Sequence, residues 1–253
     1  MKIGLLIPST SKGRSWKKFK DIYLYCHTIK SFLTTYDMEH EYVFYIGIDN
    51  DDPLFNQPKI IKQFENFIGI MKNVSITFYL FNDIPKGHLT TMWNILYKKA
   101  YHDSCDYFFQ CGDDIEFYTK GWINACIKVL QDNHNIGVTS PICRNNQLIL
   151  TQSFVSRKHM DIFGFYFPEE IVNWGCDDWI NIVYKPRYFF PLRNYFCNNV
   201  GGRERYTVDN NTNFYDNYRY NLQKLRQRVH FITTKKHIPI LKKYIQKLHL
   251  NLY

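Results

Sequence analysis

The chain has 253 residues, 45% of them hydrophobic and 18% aromatic, and a net charge of +9. That length supplies one sizeable core with room for an appendage, and the composition excludes a disordered chain. No run reaches the ~18 consecutive apolar residues of a spanning helix, and the apolar run after Met1 stops at Pro8, too short for a signal peptide.

Seven Cys without Cys-x-x-Cys or Cys/His metal spacing point to reduced thiols, so the expectation is a soluble, cytoplasmic protein. The charge is unevenly placed. Residues 215–253 carry nine Lys or Arg against one acid, Asp216, which leaves the first 214 residues nearly neutral.

In chain order, residues 3–8 (IGLLIP) read as a strand. Over 19–36 the spacing of Ile22, Tyr25, Cys26, Ile29, Phe32 and Leu33 predicts a helix. A second strand over 42–48 ends at the acidic turn Asp49-Asn50-Asp51-Asp52-Pro53. A helix over 60–71, a strand over 74–81, a helix over 88–101 and a strand over 105–111 follow, then Gly112. Residues 121–132 read as a helix and 136–141 as a strand. Such alternation, with strands apolar throughout, predicts an α/β/α sandwich around a mainly parallel sheet. Beyond about residue 145 the pattern loosens: 148–157 has strand character, and 179–184 lies on a helix after Asp177 and Asp178. The tail offers amphipathic helices near 215–229 and 239–252, the second with Pro239 in its first turn. Its apolar stripe is Ile240, Leu241, Tyr244, Ile245, Leu248 and Leu252.

Ligands of open α/β sheets bind beyond the carboxyl ends of the strands. Three acidic clusters fall at or near such ends: 49–52, Asp113 with Asp114, and Asp177 with Asp178. Adjacent carboxylates raise each other's pKa unless a cation lies near. A hard divalent ion, Mg²⁺ or Mn²⁺, relieves that repulsion and shares its oxygen ligands with a substrate's phosphates. The cluster at 49–52 also reads as a solvated turn, and Asp177 and Asp178 also read as helix caps.

Six stretches occur in a recognisable order: IPSTSKGR (7–14), YIGIDNDD (45–52), KGHLTTMWN (86–94), FFQCGDDIEF (108–117), GW (121–122) and NWGCDDW (173–179). Over about the first 200 residues the chain resembles GT-A-type nucleotide-sugar glycosyltransferases, family 2-like, nearest to those of large DNA viruses and protists. The resemblance implies a GT-A (Rossmann-like) domain over 1–214, with a nucleotide-binding half at 1–118 and an acceptor half at 119–214. The basic helical tail, 215–253, follows it.

The family's Asp-x-Asp motif aligns with Gly112-Asp113-Asp114. Its last carboxylate is kept as Asp114, and its first has become Gly. The resemblance therefore implies that Asp114, helped by Asp113, holds Mn²⁺ or Mg²⁺ against the diphosphate of a nucleotide-sugar donor, a UDP-sugar above all. It also implies donor contacts from Pro8, Ser9, Thr10 and Arg14 after the first strand, from Asp49, and from Lys86, Gly87 and Asn94 beneath the nucleotide. Trp174-Gly175-Cys176-Asp177-Asp178 matches the acceptor-side motif. By resemblance Asp178 is the general base toward a glycan or protein hydroxyl, Asp177 binds the acceptor or the helix start, and the reaction is an inverting hexosyl transfer. Trp174 and Trp179 either stack on a sugar or belong to the core. Residues 198–206, with their Gly pair, are expected to form a mobile loop whose Arg203 and Arg205 reach the diphosphate. No His between 179 and 229 offers a further metal ligand.

Three rival readings stand beside this one. Gly-Asp-Asp is also the metal-binding turn of viral RNA polymerases, but 253 residues leave no room for their other regions. A silent relative could bind sugar or serve in assembly without turnover. The basic tail suggests nucleic acid, although its apolar stripes fit packing on the body, or a contact with a membrane surface or another protein, better.

Overall fold

The computed structural model describes residues 1–201 and 218–249. Arg203 and Arg205 therefore lie outside the described residues, as does Leu252. Eight strands form one sheet: β1 (Lys2–Pro8), β2 (Glu41–Asp49), β3 (Val74–Phe81), β4 (Tyr107–Gln110), β5 (Ile115–Phe117), β6 (Val138–Cys143), β7 (Ser153–Ser156) and β8 (Phe189–Asn199). Their order is β3-β2-β1-β4-β7-β6-β8-β5. The β1–β2, β2–β3, β1–β4 and β6–β8 pairs are parallel; β4–β7, β6–β7 and β5–β8 are antiparallel.

Two consequences follow from that order. The chain runs outward from β1 to β3 and then returns to place β4 on the other side of β1, so β1 and β4 flank the topological switch point. Secondly, only residues 111–114 connect β4 to β5, which lie four positions apart. A flat sheet would separate them by ~19 Å at ~4.8 Å per strand. Five extended Cα steps reach at most ~18 Å. The sheet therefore curls, and its far edge returns over the turn that leaves β4.

Successive side chains of a strand point to opposite faces, and the core divides accordingly. Ile3, Leu5 and Ile7 of β1 join one buried cluster while Leu6 joins the other. The first cluster is covered by α1 (Lys30–Thr35), α2 (Pro58–Ile68) and α4 (Trp122–Gln131). The second is covered by α3 (Leu89–His102), α5 (Lys158–Phe163), α6 (Cys176–Tyr184), α7 (Tyr218–Ile232) and α8 (Ile238–Lys247). Leu225, Val229, Leu241 and Ile245 of the tail belong to this second cluster with Tyr244 against it, so that part of the tail's apolar stripe packs on the body while Ile240 and Leu248 are exposed. Among the described residues no helix is long and apolar enough to cross a membrane.

Three elements differ from the sequence pattern. Residues 19–36 are not one α-helix: a 3₁₀ turn (Phe19–Asp21) and a π-helical turn (Leu24–Ile29) precede α1. The wider π turn brings His27 and Thr28 onto the edge strand. There the Thr28 hydroxyl accepts the Ile115 N–H at 3.0 Å, and His27 Nδ1 meets Glu116 at 2.6 Å. The strand expected over 148–157 shrinks to β7. The eleven-residue β8 has no counterpart in the sequence reading, and its Asn199 lies within the stretch expected to be a loop.

Candidate functional site

Strands β1, β2, β4, β6 and β8 all point the same way, so their carboxyl ends gather at one end of the sheet. Ser9 leaves β1 there and donates from Oγ to Asp113 Oδ2 at 2.6 Å, across the switch point. Asp113 is 1% exposed. The turn is not the hairpin of a polymerase, because β4 pairs with β1 and β7 while β5 pairs with β8.

Asp114 is held by the glycines on either side of it. A Cβ on Gly201 would stand 1.6 Å from Asp114 Oδ2, and one on Gly112 would stand 2.6 Å from Oδ1. The end of β8 is pinned over the same carboxylate: Val200 N–H donates to the Asp114 carbonyl at 2.9 Å, and Arg14 Nη1 donates to the Gly201 carbonyl at 2.9 Å. The Arg14 guanidinium lies 4.7 Å from the Tyr23 ring centre, and its Nε is buried without a hydrogen-bond partner.

The loop after β2 braces the loop after β1. Asp52 is fully buried and accepts from Ser11 N–H (2.7 Å), Ser11 Oγ (2.5 Å), Thr10 Oγ1 (2.9 Å), Leu54 N–H (3.0 Å) and Phe55 N–H (2.9 Å). Burial works to raise its pKa, but the hydrogen bonds from Ser11, Phe55 and Leu54 outweigh it and hold the carboxyl below the usual value. Asp49 and exposed Asp51 share Lys12 instead.

The second acidic pair opens α6. Gly175 is its N-cap, in the left-handed region at φ 86, and no side chain caps the helix. Both acids lie in the first turn, where the helix dipole favours negative charge. They face different surroundings. Asp177 lies one turn from Asn181, whose amide donates to the Asp177 carbonyl and accepts the Leu150 N–H. Burial, then the charge of Asp178, pushes the Asp177 carboxyl up to about 7, and Cys143 at the end of β6 adds to the rise. Asp178 is raised by burial too, but Arg226 of α7 and Lys185 oppose the rise. Cys143 stands in register with Cys197 of β8. Its hydrogen bond to Cys197 pulls its thiol down to about 5, against burial.

No protein-family model matches the chain, and no curated protein matches its sequence. Among solved structures, residues 1–349 of S. aureus TarS, a glycosyltransferase, align at a TM-score of 0.50 and 13% identity. The same fragment in complex with UDP aligns at 0.51 and 13%. Each alignment covers 78% of this chain, and the chain spans only 60% of each of those structures. The chain shares the mixed α/β, Rossmann-like fold of these structures. These bacterial structures lend nothing to the viral likeness of the motifs.

Within this Rossmann-like fold the structure brings Pro8, Ser9, Thr10, Arg14, Asp49, Asp113 and Asp114 to one end of the sheet. The segment 86–94 packs against both β1, through Trp93 Nε1 donating to the Leu6 carbonyl, and the chain before α6. Lys86 is exposed, the Gly87 carbonyl accepts from Asn173, and Thr90 donates to the carbonyls of Ile171 and Val172. The Asn94 amide accepts from the backbone of Tyr166 and Phe167 and donates to the Phe167 carbonyl. This segment braces residues 166–173, which lead to Asp177 and Asp178. Trp179 is buried and donates from Nε1 to His237 at 2.9 Å, so it belongs to the core; Trp174 is half-buried.

The sequence reading missed the anchoring role of Asp52 and the close approach of Gly201. A Gly pair at 201–202 was the available signal for the second.

Proposed function

We propose that the chain transfers a glycosyl group from a nucleotide-diphosphate sugar, a UDP-sugar first among them, to an acceptor hydroxyl. The observation that carries this reading is the Ser9–Asp113 hydrogen bond across the switch point, with Asp114 beside it. It puts two carboxylates where an open α/β sheet receives the phosphates of a nucleotide.

The donor set fits a divalent ion. Asp113 and Asp114 offer hard oxygen ligands, and Mg²⁺ or Mn²⁺ is commonly held by one or two carboxylates plus substrate phosphates. No three His, Cys, Asp or Glu side chains converge on a metal position among the described residues, so the remaining ligands would come from the diphosphate and water. The ion would supply positive charge to the departing diphosphate. The unpartnered Nε of Arg14 offers a hydrogen bond at the same place.

The raised carboxyl of Asp177 favours it over Asp178 as the base. A carboxyl held near 7 exchanges protons at neutral pH, and Cys143 at the end of β6 is close enough to add to the rise of Asp177. Its carboxylate takes the proton of the acceptor hydroxyl as that oxygen bonds to the anomeric carbon. The bond from that carbon to the diphosphate oxygen breaks, and attack in line with it inverts the configuration. Asp178, beside Arg226 and Lys185, keeps the helix start and the tail in register.

The test is a thermal shift and titration with UDP and Mn²⁺. UDP with Mn²⁺ stabilises the wild type, and Asp114→Ala abolishes the metal-dependent part. Binding without turnover of any UDP-sugar would leave a silent sugar-nucleotide-binding relative. No stabilisation by any nucleotide would end the reading.

A further inference from the structure

The helical run over 218–247 carries nine Lys or Arg and no acid. Six of its buried positions recur at an interval of four, Leu225, Val229, Thr233, His237, Leu241 and Ile245, and Ile232 is buried beside Thr233. In a plain α-helix such a stripe would rotate by ~40° at each repeat and leave the body within a few turns. The π-helical turn Thr233–His237 takes more residues per turn and swings the stripe back onto α6 and α5.

The opposite ridge is regular for the same reason. Gln227, Phe231, Lys235, Pro239, Lys243 and Lys247, each two residues beyond a buried position, are all exposed. Lys224, Arg228 and Lys242 flank them and are exposed as well. From Gln227 to Lys247 the ridge extends ~30 Å at ~1.5 Å per residue. Phe231, in the middle of the basic face, is 59% exposed, and Leu248 at its end is 41% exposed. Solvation accounts for the cations and gives no reason for the aromatic ring.

We propose that this ridge docks on an anionic lipid bilayer. Lys235, Lys243 and Lys247 on the ridge, with Lys224, Arg228 and Lys242 beside it, give a one-sided basic face that suits a flat negative surface, and Phe231 would enter the headgroup boundary among them. A one-sided ridge with an apolar wedge matches that surface better than a nucleic-acid groove does. The inference rests on the helix geometry alone and stands independently of the donor chemistry.

Sedimentation with vesicles tests it, using the full chain. The wild type should pellet with equimolar phosphatidylcholine and phosphatidylserine, should stay in solution with phosphatidylcholine alone, and should be released by salt. Each cation removed from such a surface costs roughly fivefold in partitioning. The combined Lys235→Glu, Lys243→Glu and Lys247→Glu variant should therefore fall at least a hundredfold, and Phe231→Ala a few-fold. These side chains lie in solvent, so both variants should keep the wild-type circular dichroism and UDP affinity. Failure of the wild type to pellet overturns the proposal. So does equal pelleting of the triple variant, or tighter retention on a duplex oligonucleotide at the same salt.

Discussion

Replacing Asp177 with Asn tests the base through two independent readouts. In the fold its carboxyl is pushed from 3.8 to about 7, first by burial and then by Asp178. The folded pKa is therefore raised, and the sign follows. Below the unfolded value both states are protonated and nothing is lost. Between about 4 and about 7 ionisation increasingly favours the unfolded chain, and above that the loss is constant. About three pKa units correspond to ~4 kcal/mol as a ceiling. The side chain is only half-buried, and solvent screening brings the figure to about 2 kcal/mol. Asparagine removes that burden, so Asp177→Asn should melt ~4–8 °C above the wild type at pH 8. The advantage should shrink steadily toward pH 4. Turnover should move the other way. Wild-type kcat/KM should rise with pH through about 7, and the variant should lose most of its rate while binding UDP normally. Asp178→Asn should do much less to turnover. A large loss in Asp178→Asn, with a flat stability difference in Asp177→Asn, would return the base to Asp178.

Two further substitutions test how the donor end is held. Gly201→Ala puts a methyl group 1.6 Å from Asp114 Oδ2, so the carboxylate or the end of β8 must move and the Arg14 contact breaks. About 2 kcal/mol of donor binding, roughly thirtyfold, should be lost in titration with UDP and Mn²⁺, with little change in Tm; unchanged affinity would mean that the placement of Asp114 does not matter. Asp52→Ala leaves the N–H groups of Ser11 and Phe55 without their acceptor, leaves Leu54 N–H only its longer bond to Ser11 Oγ at 3.3 Å, and should cost ~3 kcal/mol in denaturant unfolding. Because the Asp52 pKa is depressed in the fold, its contribution is present above the unfolded value of 3.8 and is lost as pH falls through the folded pKa, so the gap between wild type and variant should close in acid.

The first half of the fold was legible because β1, β2 and β4 are largely buried on both faces and, with the more exposed edge strand β3, read as short apolar runs between helical stripes. The second half was not, for physical reasons. β5 has three residues, and β8 contains Pro191, Arg193 and Asn194 and is half-exposed along most of its length, so neither shows a period of two. The acidic clusters were visible as clusters, but sequence could not tell which member turns inward. Asp52 is buried and Asp51 exposed one residue away, because a tight turn sends neighbouring side chains in opposite directions. The same limit applies to Asp177 and Asp178, which a helix separates by ~100°.

The tail shows a signal that was available and went unread. Six apolar or small polar positions four residues apart, 225 to 245, do not fit an α-helix that stays on one surface. Something must widen a turn within them, and the threonine pair at 233 and 234 stands where it does, each hydroxyl donating to a carbonyl four residues back. The period of a stripe therefore locates the irregular turn as well as the helix. Here it also dictates what the opposite face can be: once the buried positions hold a line, the residues two places beyond them hold one too. An evenly spaced basic ridge with one exposed ring is then a consequence of how the core is packed, and the core alone does not specify the residues that occupy it.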